Sequence, residues 1–353
     1  MKRKTTRKIK LGNICIGGDA PITIQSMTFS KTSDREATLA QILELEKAGC
    51  EIVRFSVPDE ESAESIPYLK EHTNIPLVAD IHFNHKLAIK SAEYGIDKVR
   101  INPGNIGSDE NVKAVVDACN RRNIPIRIGV NAGSLEKHIL AKYGRPTPEA
   151  LVESASYHLE LLEKFDFHNA VVSIKSSDVQ TTIKANRLFS QKYDYPLHLG
   201  LTEAGTERFG LIKSSCAIGS LLCDGIGDTI RVSLTENCVK EVYAARDLLK
   251  SIGLRKGVNI VSCPTCARCD YDVMGIANKL HEKLDDLDKD ITVAVMGCVV
   301  NGPGEAREAD IGVAGGKGEA LLFKKGEAVG KIPESEVIDR ILKEVEAMSL
   351  LLL

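Results

Sequence analysis

From residue 20 to about 252, short runs rich in Val, Ile and Leu alternate with longer stretches whose apolar residues recur every three or four positions. The short runs predict strands at Ile22–Met27, Ile52–Ser56, Leu77–Ile81, Lys98–Ile101, Ile126–Val130, Ala170–Ile174, Leu197–Leu201 and Thr229–Val232. The longer stretches predict helices, among them Asp34–Lys47 with Asp34 as N-cap, Asn84–Tyr94, Asp109–Arg121, Thr147–Phe165 and Glu236–Ser251. This alternation of eight strands with helices has the length of a (β/α)8 TIM-type barrel, an α/β fold. A doubly wound open sheet is the rival, but no Gly-x-Gly-x-x-Gly follows the first strand.

Near Gly253 the pattern changes. Residues 253–258 read as a linker between a barrel over 1–252 and a smaller α/β module over 259–353. In the module the pattern predicts a strand at Asn259–Ser262, a helix over Val273–Leu287, strands at Thr292–Met296, Asp310–Val313 and Ala320–Phe323, and a closing helix over Glu334–Met348. The run Gly315-Gly-Lys-Gly318 reads as a hairpin turn, since no Lys-Ser/Thr and helix follow it as in a phosphate loop.

Composition adds exclusions. The 353 residues carry a net charge of −3, so no global field argues for nucleic acid or an anionic membrane. The basic start Met1-Lys-Arg-Lys-Thr-Thr-Arg-Lys8 has no apolar run behind it and reads as a solvated tail, not a signal peptide or a nucleic-acid arm. The closing Ser349-Leu-Leu-Leu-Leu353 is too short to span a bilayer. Without an export signal the expected setting is cytoplasmic and reducing, where ten cysteines argue for thiols and metal over disulfides. Cys15, Cys50, Cys119, Cys216, Cys223 and Cys238 lie among apolar neighbours and are expected to be small core hydrophobes.

TIM barrels work at the carboxyl ends of their strands. Those ends carry Arg54, Asp80 with His82, Arg100 with Asn102, Arg127 with Asn131, Lys175, Glu203, and Arg231 with Ser233. Cations closing five of the eight strands point to a multiply charged anion, most simply a diphosphate. The runs Asn105-Ile-Gly and Asn131-Ala-Gly would add backbone amides. His82 reads equally well as a neutral, hydrogen-bonded residue at a strand end.

The module carries the densest chemistry, Cys263-Pro-Thr-Cys266-Ala-Arg-Cys269, answered by Cys298 in Gly-Cys298-Val-Val-Asn-Gly-Pro-Gly-Glu305. A Cys-x-x-Cys turn offers two thiolates to one centre, and a third from a distant Gly-rich loop can nearly close an iron–sulfur or zinc site. The lone cysteine of the second segment excludes the paired halves of a zinc ribbon. Zinc on three thiolates plus carboxylate or water stays open beside an iron–sulfur cubane. In a cubane the fourth ligand is Cys269, which would crowd one turn, or Glu305, whose harder carboxylate could leave when substrate oxygen arrives.

The runs Ser262-Cys-Pro-Thr-Cys266, Gly297-Cys-Val-Val-Asn-Gly-Pro-Gly-Glu305, Val99-Arg-Ile-Asn-Pro-Gly-Asn-Ile-Gly107, Ile128-Gly-Val-Asn-Ala-Gly-Ser134, His198-Leu-Gly-Leu-Thr-Glu-Ala-Gly205 and Asp228-Thr-Ile-Arg-Val-Ser-Leu-Thr235 resemble, in order along the chain, the 4-hydroxy-3-methylbut-2-enyl diphosphate synthase family of the methylerythritol phosphate route to isoprenoids, in its short two-domain bacterial form. The resemblance implies a [4Fe–4S] cluster on Cys263, Cys266, Cys298 and Glu305. It also implies reductive opening and dehydration of 2-C-methyl-D-erythritol 2,4-cyclodiphosphate, with electrons from ferredoxin or flavodoxin. Arg54, Arg100, Arg127 and Lys175 take the family's diphosphate-clamp positions. Asp80, His82, Asn131, Glu203 and Ser233 take its polar pocket positions, with Arg231 a weaker match and Glu203 the candidate acid for the leaving hydroxyl. Cys269 departs from the family pattern and is expected to be a bystander thiol. The resemblance further implies a homodimer in which one chain's cluster domain faces the partner's barrel. A sugar-phosphate lyase or aldolase with a structural zinc module, using Lys175 as a Schiff-base lysine, is the rival enzyme class. A cluster-bearing sensor is the rival without catalysis.

Overall fold

The computed structural model describes residues 2–269, 271–285 and 287–350. Residues 351–353 of the closing leucine run and Asp286 of the predicted helix Val273–Leu287 lie outside them. The chain divides into two compact units, Met1–Leu248 and Leu249–Leu353.

The first unit opens with a hairpin of β1 (Ile9–Leu11) and β2 (Ile14–Ile16). Eight parallel strands follow: β3 (Thr23–Met27), β4 (Ile52–Ser56), β5 (Leu77–Asp80), β6 (Lys98–Ile101), β7 (Ile126–Asn131), β8 (Ala170–Lys175), β9 (His198–Leu199) and β10 (Thr229–Ile230). Each pairs with its neighbour in sequence, β10 pairs with β3, and a Val172–Leu197 bridge joins β8 to the approach of β9, so the ring closes. β9 and β10 are shorter than the alternation predicts. Past them the backbones crowd: a Cβ on Gly200 would lie 2.5 Å from the Arg231 carbonyl oxygen.

The helices begin where their caps place them. Asp34, Asn84, Thr147 and Asp178 accept from the N–H groups of Ala37, Lys86, Ala150 and Thr181, each such cap contributing about 1 kcal/mol.

The N-terminal segment is not the solvated tail expected of its charges. Ile9, Leu11 and Ile16 pack against Ile52, Val78 and Val171 and cover the amino-terminal end of the barrel. Arg3 reaches the buried Asp228 at 2.9 Å and Lys4 donates to the Tyr193 carbonyl. An exposed end of a barrel core is apolar and needs a lid, which outweighs the charge of the segment. Cys50, Cys119 and Cys238 are buried as expected, whereas Cys216 and Cys223 are exposed on the outer face of the helix Glu207–Cys223. All ten cysteines are free.

The second unit is a sheet in the order β11 (Val258–Ser262), β12 (Ile291–Met296), β13 (Ile311–Gly315), β14 (Glu319–Lys324), β15 (Glu327–Pro333). The first three strands run parallel and the last two complete an antiparallel meander, with the β13–β14 hairpin at Gly315–Gly318. Strand alternation sends Val293 and Val295 to the helices Val273–Leu284 and Val337–Leu350, and Ala294 and Met296 to the helix Gly302–Glu308. The predicted helix Val273–Leu287 ends at Leu284. In this unit two of the described elements have no counterpart in the sequence pattern. Gly302–Glu308 is a helix where Asn-Gly-Pro-Gly suggested only a turn, because Pro303 suits a first helical turn. Strand β15 is a largely exposed edge without apolar alternation.

Candidate functional site

The carboxyl ends of the barrel strands enclose a cavity of about 320 Å³. Arg54, Asp80, His82, Arg100, Arg127, Asn131, Lys175, Glu203, Arg231 and Ser233 all line it, joined by Met27, Ser173, Leu201 and Thr202. Asn102 and the Asn105–Gly107 run do not; the chain there turns into the short helix Pro103–Ile106 and away from the cavity.

Two buried carboxylates pair with three of the five cations. Asp80 accepts from Arg100 Nη1 at 2.9 Å and lies 3.7 Å from Arg54 Nε. Burial alone would raise its pKa, but Arg54, Arg100 and Arg127 outweigh it and hold the carboxyl well below the usual range. Glu241, on the helix Cys238–Ser251, takes both Arg231 Nε and Nη2 at 3.2 Å and also accepts from Ser26 and the Leu234 N–H. The charge of Arg231 is therefore matched within the protein by a carboxylate of its own, whereas Arg54 and Arg100 share Asp80 and, among the described residues, Arg127 and Lys175 have none. The Asn131 amide, oriented with its oxygen toward Arg100 Nη2 (3.2 Å), braces the same guanidinium.

Arg127 is the least compensated of the set. It is 1% exposed, and among the described residues its Nε and Nη1 have no hydrogen-bond partner. Burial and then the neighbouring Arg54 and Arg100 push its pKa far down. Arg54 is lowered to about 10, chiefly by burial. Lys175 is lowered by burial and by Arg127, and its Nζ sits 3.4 Å from His198 Nε2, whose other ring nitrogen is 2.6 Å from the Thr229 hydroxyl. A protein does not hold so many cations together, desolvated and partly unpaired, unless an anion completes them.

Several contributors were missed from sequence. Arg54 leans on the Met27 sulfur, at 2.8 Å from Nη2. Gly129 and Gly200 leave the space that the cations occupy: a Cβ on Gly129 would lie 2.4 Å from Arg100 Nε, and one on Gly200 2.8 Å from Lys175 Nζ. Both glycines stand inside quoted strand-end motifs, and a glycine interrupting a strand signals close approach. Gly129→Ala should displace the Arg100 fork from Asp80 and weaken pyrophosphate binding roughly 10- to 100-fold, measured by calorimetry with the circular dichroism spectrum unchanged. Glu203 is exposed on the loop after β9 with φ 54°, left-handed backbone uncommon for a non-glycine residue. His82 is half exposed, 4.0 Å from Asp80.

In the second unit Cys263, Cys266, Cys298 and Glu305 line one cavity of about 380 Å³ with Arg268, Asn301 and Gly302. β11 and β12 are parallel neighbours, so Cys263 and Cys298 leave the same edge of the sheet. Gly297 N–H donates to Cys263 Sγ at 3.1 Å. The backbone N–H groups of Asn301 and Val300 hold the Cys298 thiol below its ordinary pKa, so it is biased toward the thiolate that binds metal. Cys269 is not in the cavity, and its thiol donates to the Tyr271 carbonyl at 3.2 Å. Among the described residues no three His, Cys, Asp or Glu side chains converge closely enough for a single metal ion. Three thiols and a carboxylate share one chamber.

Fold and cavity together define a TIM-barrel enzyme with an anion-receptive mouth and a thiol-bearing second unit. Residues 6–246 match the GcpE TIM-barrel domain and residues 259–347 the GcpE protein C-terminal domain, and the chain belongs to the GcpE family. Curated relatives named 4-hydroxy-3-methylbut-2-en-1-yl diphosphate synthase (flavodoxin) include those of Clostridium perfringens, 56% identical over 99% of this chain and 100% of the relative, and Caldicellulosiruptor saccharolyticus, 58% identical over 97% and 99%. Two solved structures match about seven tenths of the chain. Dihydropteroate synthase from Stenotrophomonas maltophilia covers 70% of this chain and 97% of its own, with TM-score 0.53 and 14% identity. An N-acetylneuraminic acid synthetase from Leptospira borgpetersenii covers 71% and 92%, with TM-score 0.51 and 15% identity. Among the described residues no helix is long and apolar enough to cross a membrane.

Proposed function

We infer that this chain opens and dehydrates 2-C-methyl-D-erythritol 2,4-cyclodiphosphate to (E)-4-hydroxy-3-methylbut-2-enyl diphosphate, a reductive step of isoprenoid synthesis, with reduced flavodoxin as donor. The observation that carries this reading is the under-compensated cation set at the barrel mouth of a chain whose relatives, matched over their full length, bear that name. The reaction consumes two electrons and two protons and releases water. The lyase alternative has no support among these relatives.

A [4Fe–4S] cluster held by Cys263, Cys266, Cys298 and Glu305 belongs to the proposal. When bound, such a cluster supplies electrons one at a time and a Lewis-acidic iron whose carboxylate ligand can exchange. The barrel residues do the rest. Arg127, Arg100, Arg54 and Lys175 bind the diphosphate and neutralise the phosphate oxygen that is set free when the ring opens. Asp80 holds Arg54 and Arg100 at fixed distances, so little reorganisation is needed as charge develops. Glu203, at the cavity rim, delivers a proton to the departing hydroxyl. Glu203→Gln should lower kcat roughly 10²–10⁴-fold with little change in KM, in a steady-state assay under reductant; an unchanged kcat removes Glu203 from this role.

The homodimer is part of the same proposal. Mixed dimers of a Cys298→Ser chain with an Arg127→Ala chain should recover turnover, and complete inactivity of dimers shown to form contradicts shared sites. Iron, zinc and acid-labile sulfide content of anaerobically purified protein tests the cofactor. About four irons and four sulfides per chain are expected; one zinc and no sulfide, persisting after reconstitution, overturns the reductive reading.

A further inference from the structure

Beneath the mouth lies a buried amine that the mechanism above does not use. Lys98 is on β6, two residues before Arg100 and on the same face, about 6.6 Å deeper into the barrel. It is fully buried, and among the described residues its Nζ has no hydrogen-bond partner. We propose that Lys98 is a proton acceptor built under the diphosphate site: buried without a partner in the free barrel, it holds a proton more firmly once the substrate anion arrives, so that binding and protonation are coupled. The inference rests on the reading of the mouth as a diphosphate site.

The charges nearest Lys98 are the cations Arg54 on β4 and Arg127 on β7, against the single carboxylate of Asp97. His198 on β9 lies near it as well, its imidazole held well below its ordinary pKa by burial and then by Arg127. Beyond them Lys175 on β8 lies beside His198 and Arg231 on β10 near Arg127, Arg231 being held by Glu241. The carboxylates within reach are already engaged. Asp80 on β5 holds Arg100, and Asp97, the preceding residue, is taken by Lys70 at 2.5 Å and by the Leu77 N–H at 2.8 Å. A charged ammonium there would add desolvation to repulsion with no counterion. Burial first, then Arg127 and Arg54, accordingly lower its pKa far below the ordinary lysine value.

An anion at the mouth reverses the balance. Two negative charges within a low-dielectric barrel act on Lys98 without touching it, because the field is weakly screened over such distances. Lys98 then differs in role from Lys175, which lines the cavity and meets the anion directly. Proton uptake on binding means that affinity falls as pH rises through the window between the pKa of Lys98 in the free and the bound protein. The free state also bears a cost below the ordinary lysine pKa, which a methionine of similar shape removes.

The substrate makes the test clean, since each ring phosphate loses its single acidic proton far below neutrality and the ligand does not titrate near pH 8. The cyclodiphosphate is titrated by calorimetry into oxidised holoenzyme without reductant, in two buffers of different ionisation enthalpy. Wild type is expected to take up protons, and Lys98→Met to take up about one fewer, with a shallower fall of affinity with pH and an unchanged or higher Tm for the free protein. Binding by wild type with no proton uptake overturns the proposal whatever the variant does, and equal uptake by wild type and K98M overturns it too. Failure of wild type to bind the cyclodiphosphate overturns the diphosphate reading and this proposal with it.

Discussion

Replacing Arg127 by Met is expected to cut kcat/KM for the cyclodiphosphate roughly 30- to 1,000-fold while leaving the anion-free barrel as stable as before, or more so. The two halves of this expectation have one cause. Arg127 is fully buried among Arg54, Arg100 and Lys175, with two of its nitrogens unpartnered and the shared carboxylate Asp80 already taken by Arg100. Its guanidinium is a burden to the free protein and a strong donor to a bound diphosphate. Methionine fills the volume without the charge. Structural damage would lower Tm together with activity, so the two readouts separate. A loss of Tm by several degrees alongside the loss of activity would show that Arg127 supports the fold instead.

Cys298→Ser is expected to reduce turnover to background and to strip the protein of bound iron. Cys298 stands at the end of β12, where backbone N–H groups of Asn301 and Val300 favour its thiolate, and it is the lone cysteine of its segment. No neighbouring thiol in that loop can replace it, and serine oxygen is a harder, more basic donor that suits the cluster poorly. Cys269→Ser is the control. Its thiol is outside the cavity and satisfied by the Tyr271 carbonyl, so iron content and turnover should stay near wild type. Iron content and the visible absorption of the cluster measure both variants. Equal iron loss in the two would bring Cys269 into the ligand set.

The barrel was legible because its strands are short apolar runs and its helices carry explicit caps; β4 and β6 begin and end where the pattern predicts. The convergence of Arg54, Arg100, Arg127, Lys175 and Arg231 followed from their places at strand ends, since a parallel barrel gathers those ends in one ring. Pairing was not legible. That Glu241 cancels Arg231 while Arg127 stays uncompensated depends on a helix ten residues further along the chain folding back on its strand. Lys98 escaped notice because a lysine opening a strand ordinarily points to solvent, and its inward orientation is set by the register of Arg100 two residues on. The N-terminal hairpin escaped for the opposite reason: basic residues masked three apolar ones that close the barrel.

Reduction of a cyclic diphosphate at the barrel mouth can be observed directly. The most direct measurement is to incubate anaerobically purified protein with the cyclodiphosphate and reduced flavodoxin and to follow products by mass spectrometry. The expected product is (E)-4-hydroxy-3-methylbut-2-enyl diphosphate, formed with one water lost and two electrons consumed per molecule, and far less of it from Arg127→Met at matched times. Unchanged cyclodiphosphate from protein shown to carry its full complement of iron and sulfide would contradict it.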